Sequence, residues 1–209
     1  MSSTVLGIVL GILVGLRHAF EPDHLTAVST LVTETHSARQ GAVLGIAWGL
    51  GHTLALVAVG SLLAIVGATL PPRAAVCFEL GVAAMLLVLG VRAIAVARRS
   101  YAEAGHGHTH RTGGQPRLRS LAVGLVHGLA GSGALTALVF AQLPSTGARI
   151  LYMILFGIGS MAGMALASGL AGQALRVVAH SQQIRMRIGV ATGVLSIAVG
   201  LGWGIPLLV

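Results

Sequence analysis

Long apolar runs separated by short polar segments dominate the chain. A helix that crosses a membrane needs about 20 predominantly apolar residues. Six segments meet that length: 4–32, 41–70, 74–96, 121–141, 150–172 and 188–208. One long polar connection, residues 97–120, lies between the third segment and the fourth. The pattern predicts an all-α polytopic membrane protein with six transmembrane helices.

The first apolar segment contains a polar interruption. Residues 15–25 read Gly-Leu-Arg-His-Ala-Phe-Glu-Pro-Asp-His-Leu. Proline removes a backbone donor and disfavours the helical conformation of the residue before it, so we expect the first helix to be broken at Pro22. An unbroken helix would scatter His18, Asp23 and His24 around its axis. A break allows these side chains to converge.

The two halves of the chain echo each other. Residues 15–18 (Gly-Leu-Arg-His) are matched by residues 124–127 (Gly-Leu-Val-His), and shorter echoes follow in the same order in the later helices. Each half holds three predicted helices, an odd number, so tandem copies would lie in opposite orientations across the membrane. We therefore predict two inverted three-helix repeats, residues 1–96 and 121–209, joined by a cytoplasmic loop at 97–120.

Glycine spacing indicates which helix faces meet. GxxxGxxxG stripes begin at Gly7 and at Gly41, and such stripes let helix backbones approach closely. His18 and His52 each stand almost two turns beyond a glycine of their own stripe. Packing of the two stripes on each other would therefore bring His18 close to His52. In the predicted repeat alignment, Met164 occupies the position of His52.

Composition limits the possible functions. Of the 209 residues, 55% are hydrophobic and 9% are charged, and the net charge is +8. That charge would suit a nucleic-acid binder, but the arginines lie in short loops between apolar segments, where membrane orientation accounts for them. We expect a lipid bilayer and no nucleic acid as partner. Because Cys77 is the one cysteine, the chain has no intrachain disulfide or redox pair.

The loop arginines predict the orientation in the cell's inner membrane. A cytoplasmic loop at 97–120 places most of them inside, as the positive-inside rule requires: Arg39, Arg98, Arg99, Arg111, Arg117, Arg119, Arg176, Arg185 and Arg187. Arg73 and Arg149 then lie outside. With six helices, both termini face outward. No basic residue precedes the first apolar run, so we expect it to be the first helix and not a signal peptide.

Ionisable side chains inside a bilayer are costly and by default mark an ion pathway. Imidazole nitrogens suit zinc, copper, iron and nickel, and a carboxylate adds negative charge. We therefore predict one site for a divalent transition-metal ion, made by the following residues: His18, Asp23, His24 and His52.

Further candidate ligands surround this set. Glu21 is either a fifth ligand or the partner of Arg17. For His127, which stands alone in its segment, a structural hydrogen bond between helices is the main alternative. The predicted loop contains alternating histidines: His106, His108 and His110. A tract of this kind favours metal capture or sensing, with a flexible solvated linker as the alternative.

Two of these motifs resemble the signatures of the nickel/cobalt transporter family. Residues 17–25 resemble its first motif, an Arg-His-Ala start followed by Asp-Ala-Asp-His-Ile, with Glu21 and Pro22 in place of Asp-Ala. Residues 50–53, Leu-Gly-His-Thr, are similar to its second motif, Leu-Gly-His-Ser/Thr. Residues 124–135 resemble the shorter six-span relatives that are grouped with urease accessory proteins.

The resemblance implies uptake of Ni²⁺ or Co²⁺ as a transported substrate, with the four predicted ligands binding and passing the ion. Membrane potential would drive entry, since the chain has no Walker-type motif. Two other functions stay open: an accessory membrane protein that delivers nickel together with urease or hydrogenase maturation proteins, and a metal exporter. We expect no prosthetic group. We also expect no enzymatic activity, because the sequence offers no paired nucleophile and base.

Overall fold

The computed structural model describes residues 3–33, 35, 37–104, 115–143 and 145–209, with the backbone alone for 3–8, 104 and 131–142. Its helices are α1 (Ser3–His18), α2 (Pro22–Val32), α3 (Ala38–Val66), α4 (Pro72–Ala104), α5 (Pro116–Gln142), α6 (Thr146–Val178) and α7 (Gln182–Gly204), followed by a 3₁₀ turn at Ile205–Leu207. No strand occurs in these ranges. The prediction of an all-α fold is confirmed.

Local sequence signals set where the helices begin and end. The hydroxyls of Ser37, Ser145 and Ser181 each accept a hydrogen bond from a backbone N–H in the first turn of α3, α6 and α7. This is the usual arrangement at a helix N-cap. Helix α4 begins with Pro72. Helix α3 is followed by the cap residue Gly67, which has the left-handed φ of 71° that glycine accepts without strain.

The outer surface of the bundle is apolar. Four helices, α3, α4, α6 and α7, are long and apolar enough to cross a membrane, judged over the described residues. Large aliphatic side chains on them point away from the core; Ile65 is 71% exposed and Val88 is 66% exposed. A water-soluble protein rarely exposes such extended apolar surface. The chain is therefore a membrane protein.

The first predicted helix is broken where the sequence indicates. Helix α1 ends at His18 and α2 begins at Pro22. Across the break the hydrogen bonds span three residues: the Phe20 N–H donates to the Arg17 carbonyl at 2.9 Å, and the Glu21 N–H donates to the His18 carbonyl at 3.0 Å. Proline suits the first position of α2, because an N–H there would have no partner within the helix.

Helix α2 is enclosed by the other helices. It packs against α4, α6 and α7, while α3 packs along α5 and α6, α1 along α6, and α4 along α7. The largest core cluster joins Val28 and Leu31 of α2 to Trp48 of α3 and Leu86 of α4. Most of α2 from His24 onward, with Leu25 as an exposed exception, is therefore in the interior of the protein.

The glycine stripes of α1 and α3 meet α6 and not each other. A Cβ added to Gly15 or to Gly45 would overlap the backbone of α6. Helix α6 carries small residues of its own on both faces, with Gly159 against α1 and Gly157 against α3. The prediction that the two stripes pack together is wrong, because α6 admits one helix on each side.

The polar connection between α4 and α5 is shorter than predicted. Helix α4 continues through residues 97–104, Ala-Arg-Arg-Ser-Tyr-Ala-Glu-Ala, and α5 begins at Pro116. Most of these residues are good helix formers, so α4 extends past its apolar part. The first and last parts of the predicted loop at 97–120 are therefore helical, and its role as a cytoplasmic connection stays a prediction. The candidate loop ligands His106, His108 and His110 lie outside the described residues.

Contacts between helices occur in matched pairs. Gly15 of α1 lies against the backbone nitrogen of Ser160 in α6, and Gly124 of α5 lies against the backbone nitrogen of His52 in α3 in the same way. In this pairing Ser160 occupies the place of His52. The predicted match was Met164, one helical turn further along α6.

Candidate metal centre

Four histidines from four helices meet at the break between α1 and α2. The ring centroid of His18 lies 4.4 Å from that of His24 and 5.3 Å from that of His52. The His24 and His127 centroids are 4.0 Å apart. The predicted approach of His18 to His52 is confirmed, although α6 and not direct stripe packing positions the two helices.

The cluster is almost entirely shielded from solvent. The side chains of His24, His52 and His127 are 1%, 0% and 2% exposed, and that of His18 is 15% exposed. The side chain of Glu21 is 53% exposed, so the cluster reaches solvent on this side. A cation in the centre would therefore be held by protein atoms in place of water, with one side near an exposed carboxylate.

A carboxylate contacts one ring nitrogen in each of three of these histidines, His18, His24 and His127. A Glu21 oxygen lies 3.0 Å from His18 Nδ1, so Glu21 contacts His18 and not Arg17. Asp23 Oδ1 lies 3.1 Å from His24 Nδ1, and Asp23 Oδ2 lies 2.8 Å from His127 Nε2. Histidines that bind metals commonly donate their second N–H to a carboxylate, which fixes the ring orientation.

The ring nitrogens that no carboxylate contacts have no hydrogen-bond partner. Nε2 of His18, Nε2 of His24 and both ring nitrogens of His52 are buried and unpartnered. Leaving a buried polar atom unsatisfied costs about 1–3 kcal/mol, so such a group of atoms is expensive unless something binds there. One ligand atom from each of these three residues lies within 4.8 Å of the others. The donor set fits a metal cation.

A second group of ligand atoms lies beside the first. Asp23, His24 and His127 also place one ligand atom each within 4.8 Å of one another. All four predicted ligands are thus brought together, and so are the secondary candidates Glu21 and His127. His127 does make the hydrogen bond between helices that was its alternative reading, and the bond joins it to the same cluster.

Aromatic rings form the wall of the cluster. Trp48 stacks on His24 with centroids 5.5 Å apart and an interplanar angle of 25°. The Phe156 centroid lies 5.1 Å from that of His18. The sequence reasoning missed both rings, since isolated aromatics in apolar helices carry no distinguishing pattern. A signal for His127 was present, because its Gly-Leu-Val-His segment repeats the one that ends in His18.

The chain is similar to a urease accessory protein. The relative is named urease accessory protein UreH, from Bacillus sp. (strain TB-90), and is 29% identical over 202 residues, which cover 93% of this chain and 88% of the relative. The similarity therefore extends over nearly the whole length of both chains. No protein-family model matches the chain, and no solved structure matches it.

Proposed function

We propose that the chain transports a divalent transition-metal ion, nickel or cobalt, across the cell's inner membrane, without enzymatic activity or a prosthetic group. The observation that carries the proposal is the set of buried, unpartnered imidazole nitrogens of His18, His24 and His52. Histidines that only join helices would have used these nitrogens in hydrogen bonds. Imidazole is also a favoured ligand of late first-row metals.

Two likenesses favour nickel or cobalt as the metal. The motifs at residues 17–25 and 50–53 resemble those of the nickel/cobalt transporter family. The relative's name associates it with urease, and this link favours nickel among the metals that imidazoles accept. Membership of the nickel/cobalt transporter family is part of the proposal, with the ion as substrate and the bilayer as its surroundings.

We further propose six spans in two inverted three-helix repeats, with both termini outside. Helix α1, with 16 residues, is short for a bilayer that needs about 20, and α1 and α2 together make one span. Matched contacts support the repeat. Gly90 of α4 packs on Ile197 of α7 as Gly193 of α7 packs on Ile94 of α4.

The rings of the centre fit the same repeat. His18 of α1 lies beside Phe156 of α6, and His127 of α5 lies beside Trp48 of α3. The two histidine–aromatic pairs stand at corresponding places in the proposed repeats, which supports the proposal. Ion sites at the interface of inverted repeats, next to a discontinuous helix, are typical of secondary transporters.

Membrane potential is sufficient to drive uptake. Moving one charge across 100 mV is worth about 2.3 kcal/mol, so a divalent ion gains about 4.6 kcal/mol on entry. Since about 1.4 kcal/mol corresponds to a factor of ten, that energy sustains a gradient of more than about a thousandfold. Transport by this chain then needs no nucleotide.

Nickel uptake by vesicles that contain the purified protein tests the proposal. With an inside-negative potential, we expect the wild type to fill the vesicles and His18→Ala to lower uptake to the level of empty vesicles. His180→Ala is the matched control, because His180 is exposed between α6 and α7. Equal uptake by all three proteins would contradict the proposal.

A second candidate is an accessory protein that hands nickel to enzyme-maturation proteins without moving it across the bilayer. The name of the relative favours this function. The same vesicles separate the two functions, because an accessory protein would bind nickel without filling the vesicle. Net outward flux in oriented vesicles would instead indicate export.

A further inference from the structure

The candidate centre contains two ligand groups that share one residue. His18, His24 and His52 form one group, and Asp23, His24 and His127 form the other. The first uses nitrogen donors alone, and the second replaces one nitrogen by a carboxylate oxygen. His24 belongs to both and is 1% exposed.

The two nitrogens of His24 face different groups. Nδ1 lies 3.1 Å from Asp23 Oδ1, on the side of the second group. Nε2 is buried without a hydrogen-bond partner, and it is the atom left for the first group. The His24 ring lies 4.4 Å from the His18 ring and 4.0 Å from the His127 ring, measured between centroids, so it stands between them.

We propose that Asp23, His24 and His127 form a second binding position for the same divalent ion, and that the ion is handed from one position to the other around His24. The inference rests on the proposed function, since it takes the ion to be the substrate. Because the His24 ring contributes one nitrogen to each position, the two positions are adjacent. Sites that pass ions need several adjacent, moderately strong positions and not a single tight one.

The two positions belong to different parts of the chain. The first takes all its ligands from α1, α2 and α3, whereas the second includes His127 of α5. A shift of α5 relative to α2 would therefore alter the second position and leave the first intact. The hand-off thereby carries the ion from the first half of the chain toward the second.

The test uses Co²⁺ absorption and Ni²⁺ titration of the full chain in detergent. His52→Gln removes a ligand from the first position only, His127→Gln removes one from the second only, and His24→Gln removes one from both. His180→Gln is the control. We expect His52→Gln and His127→Gln each to retain one Co²⁺ at the position that keeps all its ligands, with absorption spectra that differ from each other. The variant that loses the tighter position should also bind more weakly than the wild type. His24→Gln should lose more affinity than either.

Flux measurements complete the test. Both His52→Gln and His127→Gln should lose uptake into vesicles while still binding metal, because the hand-off needs both positions. If His127→Gln keeps the wild-type spectrum, affinity and flux, His127 is not a ligand and the inference is overturned. If the wild type binds neither Co²⁺ nor Ni²⁺, the proposed function itself fails. Should His127→Gln not elute as a folded protein, His127→Asn replaces it.

Discussion

At the scale of single residues, the two carboxylates beside the helix break contact histidine rings and orient them. Glu21 lies 3.0 Å from His18 Nδ1, and Asp23 lies 3.1 Å from His24 Nδ1. Each carboxylate leaves the opposite nitrogen, Nε2, facing the interior. The predicted role of Asp23 as a ligand stays a prediction; the geometry adds the role of orienting its neighbour.

Glu21→Gln is expected to weaken nickel binding by about 10- to 100-fold, the usual effect of losing a carboxylate that orients a metal ligand. An amide cannot supply the charge that fixes His18. The measurement is a nickel titration of the purified protein. Glu79→Gln is the matched control, because Glu79 lies outside both ligand groups. An unchanged affinity of Glu21→Gln would show that Glu21 does not orient His18.

The sequence was sufficient to find most of this cluster, because polar residues in an apolar run are conspicuous. His18, Asp23 and His24 lie within a few residues of one another, and glycine spacing indicated the face of α3 that carries His52, although the stripes pack on α6 and not on each other. The bond from His127 to Asp23 was not predictable in the same way. It depends on where α5 packs, and spacing within one helix does not determine that.

At the scale of helices, the break between α1 and α2 positions the ligands. Pro22→Ala would allow the helix to continue through residues 19–21, and His18 would then turn away from His24. We expect nickel affinity to fall by at least about tenfold, because losing only a group that orients a ligand already costs about 10- to 100-fold. Pro72→Ala, at the first residue of α4, is the control and should bind as the wild type. Retention of affinity by Pro22→Ala would mean that other contacts maintain the break.

Close helix approach gives a second prediction at this scale. In Gly15→Ala and in Gly124→Ala the new Cβ would overlap the backbone of the facing helix, and overpacking costs about 1–3 kcal/mol. Gly81→Ala is the control, since a Cβ there meets nothing within 4 Å; it should be neutral or stabilising by up to about 1 kcal/mol. Thermal unfolding in detergent measures all three. Equal unfolding temperatures would contradict the close packing.

The glycine stripes also show which part of the packing the sequence did not predict. Spacing correctly identified a face of α1 and a face of α3 that backbones can approach. It did not identify the partner, because α6 has small residues on both faces and takes the place expected for direct contact. The choice among possible partner helices is a tertiary property and is absent from any one segment.

At the scale of the whole molecule, hydropathy predicted the apolar helices and the echoes predicted a repeat. In the proposed repeat, the helix contacts place Ser160 and not Met164 at the position equivalent to His52. Glycine echoes recur about every turn in these helices, so several registers fit the sequence nearly equally. Contacts between helices of the two halves distinguish these possible registers.

The proposed inverted arrangement predicts a definite topology. A reporter enzyme that folds only outside the cytoplasm should be active when it is fused to either terminus. A reporter that is active only in the cytoplasm should be active when it is placed in the connection between α4 and α5. The arginine distribution is the physical reason. Activity of the two terminal fusions on opposite sides would contradict an even number of spans.

The most direct test of the account is a diffraction map of nickel-loaded crystals, recorded at the nickel absorption edge. The account predicts an anomalous peak among the imidazoles of His18, His24 and His52, in the interior of the bundle at the break between α1 and α2. A map with no peak there, or with nickel only on exposed histidines such as His180, would contradict it.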